Sequence, residues 1–245
     1  MLLAIDIGNT NISLGLFSKE ILVKRYSIPT HSKSYIPALK KILYRHKVDG
    51  LIISSVVPKA KRLLEKELIS FSDKNLTIQG KDINVPIKNL YRNPEKVGQD
   101  RLVNAYAGIL IYGVPLIVVD FGTALTFDVV TKNKEYLGGM ILPGLKISLE
   151  SLAEKTALLP AIKLRKPKKF IGNDTESSML SGLVFGFAAL TDSFIRQLKK
   201  DIGSKALAIG TGGDINLISG FCREFDHIDE DLTLKGLNLI YNREG

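Results

Sequence analysis

The spacing of apolar and polar residues divides the chain into short strands alternating with amphipathic helices. Leu2 to Asp6 is apolar until its final carboxylate, a run of strand length. Gly8-Asn9-Thr10 then suits a tight turn, because Gly and Asn tolerate positive φ, and Ile12 to Phe17 reads as a second strand. A third strand is expected over Glu20 to Ile28. A helix is expected over Ser34 to His46, with Ile36, Leu39, Ile42 and Leu43 on one face. Gly50 to Ser55 reads as a buried strand, and Pro58 opens a helix carrying Leu63, Leu64, Glu67 and Leu68. Between Asp73 and Pro94 the pattern loosens into short strands and turns rich in Asn and Lys. A further helix runs from Gln99 or Asp100 to about Tyr112, and the apolar strand Val114 to Val119 ends in Asp120-Phe-Gly-Thr123.

The second half opens as the first did. Ala4-Ile-Asp6-Ile-Gly8-Asn9 and Val118-Val-Asp120-Phe-Gly122-Thr123 share an apolar strand, an Asp, an apolar residue, a Gly and a small polar residue. A strand follows each, Ile12 to Phe17 and Leu125 to Val130. Such an offset fits a duplicated α/β domain with a cleft between the copies. Residues 176–202 form the clearest helix: Leu180, Leu183, Val184, Phe187, Phe194, Ile195 and Leu198 share a face, and Gly203 can cap it. Gly182 and Gly186 permit a close helix approach, so a core helix and a subunit interface both fit, the core reading being favoured by pattern alone.

Composition narrows the class. With 245 residues, 45% apolar and 24% charged, the chain can bury a substantial core. No apolar run approaches bilayer length, and Met1-Leu-Leu-Ala-Ile-Asp6 lacks the basic start and cleavage site of a secretory signal, so no membrane role is expected. Cys222 is the one cysteine, which excludes an intramolecular disulfide and a multi-cysteine zinc site and makes a reducing cytoplasm the natural compartment. His31, His46 and His227 show no metal-ligand spacing. A net charge of +9 raises nucleic acid as a partner. The densest basic stretch, Lys163-Leu-Arg-Lys-Pro-Lys-Lys169, sits in no nucleic-acid module and reads as a solvated loop with no assigned role.

Phosphoryl transfer needs donors for the phosphates, a carboxylate for Mg²⁺ and an acceptor for the proton of the attacking hydroxyl. The P-loop pattern is missing, and Gly139 to Gly144 does not match a dinucleotide fingerprint. Asp6-Ile7-Gly8-Asn9-Thr10-Asn11-Ile12-Ser13 supplies the parts of a phosphate-binding hairpin. Gly8 allows close backbone approach, Thr10, Asn11 and Ser13 offer donors, and Asp6 can order Mg²⁺ directly or through water. Asp120 to Thr123 can mirror it, and Thr211-Gly-Gly-Asp214 forms a third Gly-rich loop. Each alone could be an ordinary Gly turn; three after buried strands form a set. Gly98-Gln99-Asp100-Arg101 opens a helix, where an Asp is commonly a cap. Beside a guanidinium it can also serve as a base for a hydroxyl on an anionic substrate.

In order, Asp6-x-Gly-Asn-Thr, Gly98-x-Asp-Arg101, Asp120-Phe-Gly-Thr-Ala124, Gly138-Gly-x-Ile-x-Pro-Gly144, Asn173-Asp-Thr175, Thr211-Gly-Gly213 and Asp231-Leu-Thr-Leu-x-Gly-Leu237 resemble the successive motifs of type III pantothenate kinases. The resemblance covers nearly the whole chain. It implies duplicated actin-like (ribonuclease H-like) α/β domains, mixed sheets flanked by helices, over residues 1–112 and 113–245, the second carrying dimerisation helices. It also implies a cytoplasmic homodimer that phosphorylates pantothenate to 4'-phosphopantothenate, the first step of coenzyme A biosynthesis, using ATP, Mg²⁺ and K⁺ or NH₄⁺. By the same resemblance, Asp6 to Ser13 and Thr123 bind ATP and Asp100 is the general base. Tyr91, Gly98, Gln99, Asp100 and Arg101 line the pantothenate pocket, Arg101 pairing with its carboxylate. Asp120 ligates the monovalent cation. Thr175 reaches pantothenate in the neighbouring subunit, which turns the 176–202 helix toward an interface role.

Departures are small: Leu125 stands where many members carry Thr, and Asp214-Ile215 where a small residue is common. Two other readings compete. A sugar or acid kinase of the same superfamily is disfavoured by Gly98 to Arg101 and by the lack of long insertions. An accessory transcription factor is disfavoured by the intact Asp6, Asp100, Arg101 and Asp120.

Overall fold

The computed structural model describes residues 1–31, 35–68, 75–78 and 82–243. Two compact units divide the chain: one holds Met1–Ile87, Arg92–Ala107 and the C-terminal segment from Leu232, the other Lys88–Tyr91 and Gly108–Asp231.

In the first unit β1 (Leu2–Ile7), β2 (Asn11–Ser18) and β3 (Ile21–Pro29) form an antiparallel meander. Helix α1 (Tyr35–Arg45), strand β4 (Gly50–Ser55), helix α2 (Pro58–Leu68) and strand β5 (Asn75–Ile78) follow, giving the sheet order β3-β2-β1-β4-β5 with β4 and β5 parallel to β1. Period-two alternation sorts the side chains of β1. Leu3, Ile5 and Ile7 join Leu39, Ile42 and Leu43 of α1 and Leu64 and Leu68 of α2 in one core. The other face is covered by α7 (Leu232–Arg243), whose Tyr241 lies over Gly50 and whose Leu234 lies by Gly15. Gly236 of α7 in turn lets Val103 and Ala107 of α3 (Gln99–Ile111) pack against its backbone.

The second unit repeats the plan. A two-residue strand β6 (Lys88–Asn89) comes before α3; then β7 (Leu116–Phe121), β8 (Ala124–Val130) and β9 (Glu135–Pro143) form the meander. Helices α4 (Leu145–Lys155) and α5 (Thr175–Ile202), strand β10 (Leu207–Thr211), the short helix α6 (Ile215–Ile218) and strand β11 (His227–Ile228) follow. The sheet order β11-β10-β7-β8-β9-β6 is the first sheet's order with β6 added at the edge. Ile117, Val119, Phe121, Leu125 and Phe127 pack beneath Leu145 and Leu149 of α4 and Met179, Val184, Ala188 and Ile195 of α5.

Most expected elements stand within two residues of their expected limits. The division expected at 112/113 differs from the compact units at both ends. The apolar residues Leu234, Leu237 and Ile240 of α7 are buried in the first unit, and β6 pairs with β9 in the second. Of the loose stretch 73–94, residues 73, 74 and 79–81 lie outside the described residues, as does Ser34 at the expected start of α1. The absence of a bilayer-length apolar run also needs correction: α5, at 28 residues, is long and apolar enough to cross a membrane by length and composition. Half of its most apolar stretch is buried inside the protein, where Met179, Leu183, Val184, Ala188 and Ile195 pack into the core of the second unit. Its N-terminus carries a capping box, Asp174 accepting from the Ser177 amide at 2.7 Å, and Gly203 caps its end with an N–H to the Lys199 carbonyl.

Candidate active site

The hairpin β1–β2 turns through Gly8, Asn9 and Thr10. Gly8 N–H donates to the Asn11 carbonyl at 3.0 Å, and a Cβ on Gly8 would stand 3.1 Å from that same oxygen. Thr30 holds the turn from below, its hydroxyl donating to the Gly8 carbonyl at 2.7 Å and its amide to the Thr10 carbonyl at 2.9 Å. Asn9, Thr10 and Asn11 are exposed at the tip while Ile7 and Ile12 are buried beneath it. The turn therefore presents polar groups outward on an anchored apolar base, which is what a phosphate-holding loop requires.

Register places Asp6 between two hydroxyls. It pairs with Ser13 on β2 and with Ser54 on β4, so all three side chains stand on one face of the sheet. The second unit repeats the row: Asp120 pairs with Thr126 on β8 and with Thr211 on β10. Sequence alone pointed to Asp6, Ser13 and Asp120 but not to Ser54 or Thr126. Serines and threonines in strands carry no local signal until pairing is known. Ser54 is fully buried.

The turn after Asp120 is shaped by glycines from distant loops. Gly144 N–H donates to the Thr123 carbonyl at 3.1 Å, and a Cβ there would overlap the Gly122 and Thr123 carbonyls. Gly212, at φ +97°, packs its bare Cα against the Asp120 carboxylate and the Phe121 backbone; Asp214 N–H donates to the Phe121 carbonyl at 3.0 Å. Gly212→Ala adds strain at positive φ to a backbone overlap, costing roughly 2–6 kcal/mol, or a melting point lower by about 5–20 °C for a chain of this size. Gly213→Ala, where a Cβ meets nothing within 4 Å, should melt like the parent in calorimetry.

Gly98 to Arg101 form the start of α3. A Cβ on Gly98 would come 2.5 Å from Asp100 Oδ1, so glycine is what lets that carboxylate fold back to accept the Arg101 amide at 2.9 Å. Burial pushes the Asp100 carboxyl above the usual range, opposed by the Arg101 amide and guanidinium. Arg101 is itself buried and Gln99 is half-buried. A carboxylate so placed, next to a guanidinium, combines a proton acceptor with a counter-charge for an anion.

Tyr91 and Thr175 belong to the second unit. The Tyr91 amide donates to Asn89 Oδ1 at 2.9 Å, and its ring lies against Gly138, where φ is +127° and a Cβ would meet the ring at 3.2 Å. Thr175 is exposed at the first residue of α5. The candidates thus divide: Asp6 to Ser13 and Gly98 to Arg101 lie in the first unit, Tyr91, Asp120, Thr123 and Thr175 in the second. Among the described residues no group of three or more His, Cys, Asp or Glu gathers as a metal site. Single carboxylates flanked by hydroxyls fit hard cations that take most of their oxygens from water and phosphate, as Mg²⁺ does.

Two sheets of the same strand order, each with a D-x-G hairpin and a carboxylate between hydroxyls, make up a duplicated actin-like fold. The conserved pattern of type III pantothenate kinases matches residues 2–197. The type III pantothenate kinase of Halalkalibacterium halodurans is 39% identical, over 99% of each chain. The chain belongs to the type III pantothenate kinase family. Two solved structures share the fold at a TM-score of 0.58. One, from Campylobacter jejuni, is described provisionally as a Baf family transcriptional activator, 20% identical over 99% of this chain and 98% of that one. The other, from Listeria monocytogenes, is described provisionally as an N-acetylmannosamine kinase, 13% identical over 99% of both.

Proposed function

We propose that this chain transfers the γ-phosphoryl group of ATP to the primary hydroxyl of pantothenate, giving 4'-phosphopantothenate and ADP, the first step of coenzyme A biosynthesis. The observation that carries the reading is the opening of α3. There Gly98 admits the Asp100 carboxylate, burial raises its proton affinity, and Arg101 stands beside it. Asp100 takes the hydroxyl proton as the oxygen attacks the γ-phosphorus, and the bond to the β-phosphate oxygen breaks. Arg101 pairs with the pantothenate carboxylate and fixes the distance between that anion and the reacting hydroxyl. Gly98 and Gln99 contact pantothenate, and Tyr91 is assigned to the same substrate by the family resemblance alone. The tip of the first hairpin holds the phosphates, and Thr123 is assigned an ATP contact by the family resemblance alone. Mg²⁺, when bound through Asp6, neutralises phosphate charge as it builds. Asp120, in its bed of Gly212 and the flanking threonines, holds a monovalent cation, K⁺ or NH₄⁺.

The working form in this reading is a cytoplasmic homodimer. Ser178, Gly182, Gly186, Ala189 and Ser193 form an exposed stripe of small residues along α5, and a Cβ on either glycine would meet nothing within 4 Å. Such a stripe suits close approach of the same helix from a second copy, which would bring Thr175 to the partner's pantothenate.

The deciding experiment is ADP release from Mg-ATP with and without pantothenate, in potassium and then in sodium buffer. Pantothenate-dependent turnover that needs potassium is the expected result. A folded dimer that turns over in neither buffer would remove the kinase reading.

A further inference from the structure

Ser54 has no part in the reaction as derived above, yet its position is unusual. It is the parallel partner of Asp6, so the two side chains stand on the same face of strands roughly 4.8 Å apart. It is fully buried, and its Oγ has no hydrogen-bond partner among the described residues. Buried hydroxyls are ordinarily satisfied, so one left idle beside a site carboxylate needs a physical reason. The next residue shows what a satisfied serine looks like here: Ser55 Oγ accepts from the Val57 amide at 3.0 Å and lies 3.2 Å from its carbonyl. The second unit places a buried hydroxyl in the equivalent position, Thr211 beside Asp120. Two halves that differ in most other residues keep the same hydroxyl next to the same carboxylate, which speaks for a shared chemical demand over a packing accident.

We propose that Ser54 is a positioning residue of the nucleotide site. Its hydroxyl donates to the Asp6 carboxylate when the magnesium nucleotide is bound and fixes the direction in which that carboxylate meets it. The parallel register makes the two side chains neighbours on one face of the sheet. In the absence of nucleotide the hydroxyl is a stability liability, which its removal would relieve. The inference rests on the kinase reading of Asp6.

Ser54→Ala and Ser55→Ala separate the two kinds of serine. The full-length wild type and both variants are melted without nucleotide, titrated with Mg-ADP by calorimetry, and assayed at saturating pantothenate. Ser54→Ala should melt at or a few degrees above wild type, while Mg-ADP affinity and kcat each fall roughly tenfold. Ser55→Ala should do the reverse, melting lower with unchanged Mg-ADP affinity. Wild-type affinity and kcat in Ser54→Ala would overturn the proposal, as would a lower melting point for that variant without nucleotide. A wild-type chain that binds Mg-ADP but ignores pantothenate would sink the pantothenate reading and leave the Ser54 comparison standing on affinity. A wild type that binds no nucleotide removes both.

Discussion

Asp100→Asn should lower kcat by ~10²–10⁴-fold while the protein stays folded and still binds pantothenate. Asparagine keeps the shape and can still accept the Arg101 amide at the position Oδ1 now holds, 2.9 Å away, but it cannot take a proton. The pH dependence provides a second reading. Burial raises the Asp100 carboxyl above its ordinary value, so the acid limb of kcat/KM should fall at higher pH than an unperturbed aspartate would give. The sign for stability follows from the same shift. A carboxyl held more tightly protonated in the folded chain favours folding at low pH and loses that contribution as pH rises through its folded pKa. At neutral pH the ionised group is a cost, so Asp100→Asn should melt no lower than wild type. A variant with near wild-type turnover, or one that unfolds, would take the base assignment away from Asp100.

Arg101→Leu should raise KM for pantothenate by roughly tenfold to a hundredfold, the worth of a hydrogen-bonded charge partner. KM for Mg-ATP should stay within about twofold, because the assigned phosphate contacts lie on the β1–β2 hairpin and at Thr123. Arg101→Lys should fall between, since an ammonium keeps the charge and loses the planar fork. Steady-state kinetics with each substrate varied in turn makes the distinction. An equal loss for both substrates would mean that Arg101 shapes the fold and does not recognise the carboxylate.

The two hairpins were legible in the sequence because their signal is local. An apolar run, a carboxylate and a glycine within a few residues imply a buried strand that stops at a polar turn, wherever the partner strands lie. The duplication was legible for the same reason, and the mirrored strand orders agree with it. The long helix over 175–202 announced itself by period and by its cap residues. What escaped was the pairing. Ser54 and Thr126 flank the site carboxylates only because parallel and antiparallel neighbours fall in register, and register is set by contacts remote in sequence. The ownership of α7 escaped likewise, since an amphipathic face states that it will be buried and not against which sheet. The roles of Tyr91 and Thr175 had no local pattern at all and came only through family resemblance.

The return of α7 to the first sheet has a consequence for how the protein is made. The meander of β1, β2 and β3 is synthesised before the whole second unit, and α7, the helix that covers one of its faces, is synthesised after it. Throughout the synthesis of the second unit the first waits with Leu2, Ala4 and Gly15 lacking their cover, a condition in which nascent chains are prone to associate. The second unit, by contrast, is complete at Asp231, before α7 begins. The unit whose strands are made first is thus the one that closes last, and removing α7 harms the half of the protein that precedes the second unit.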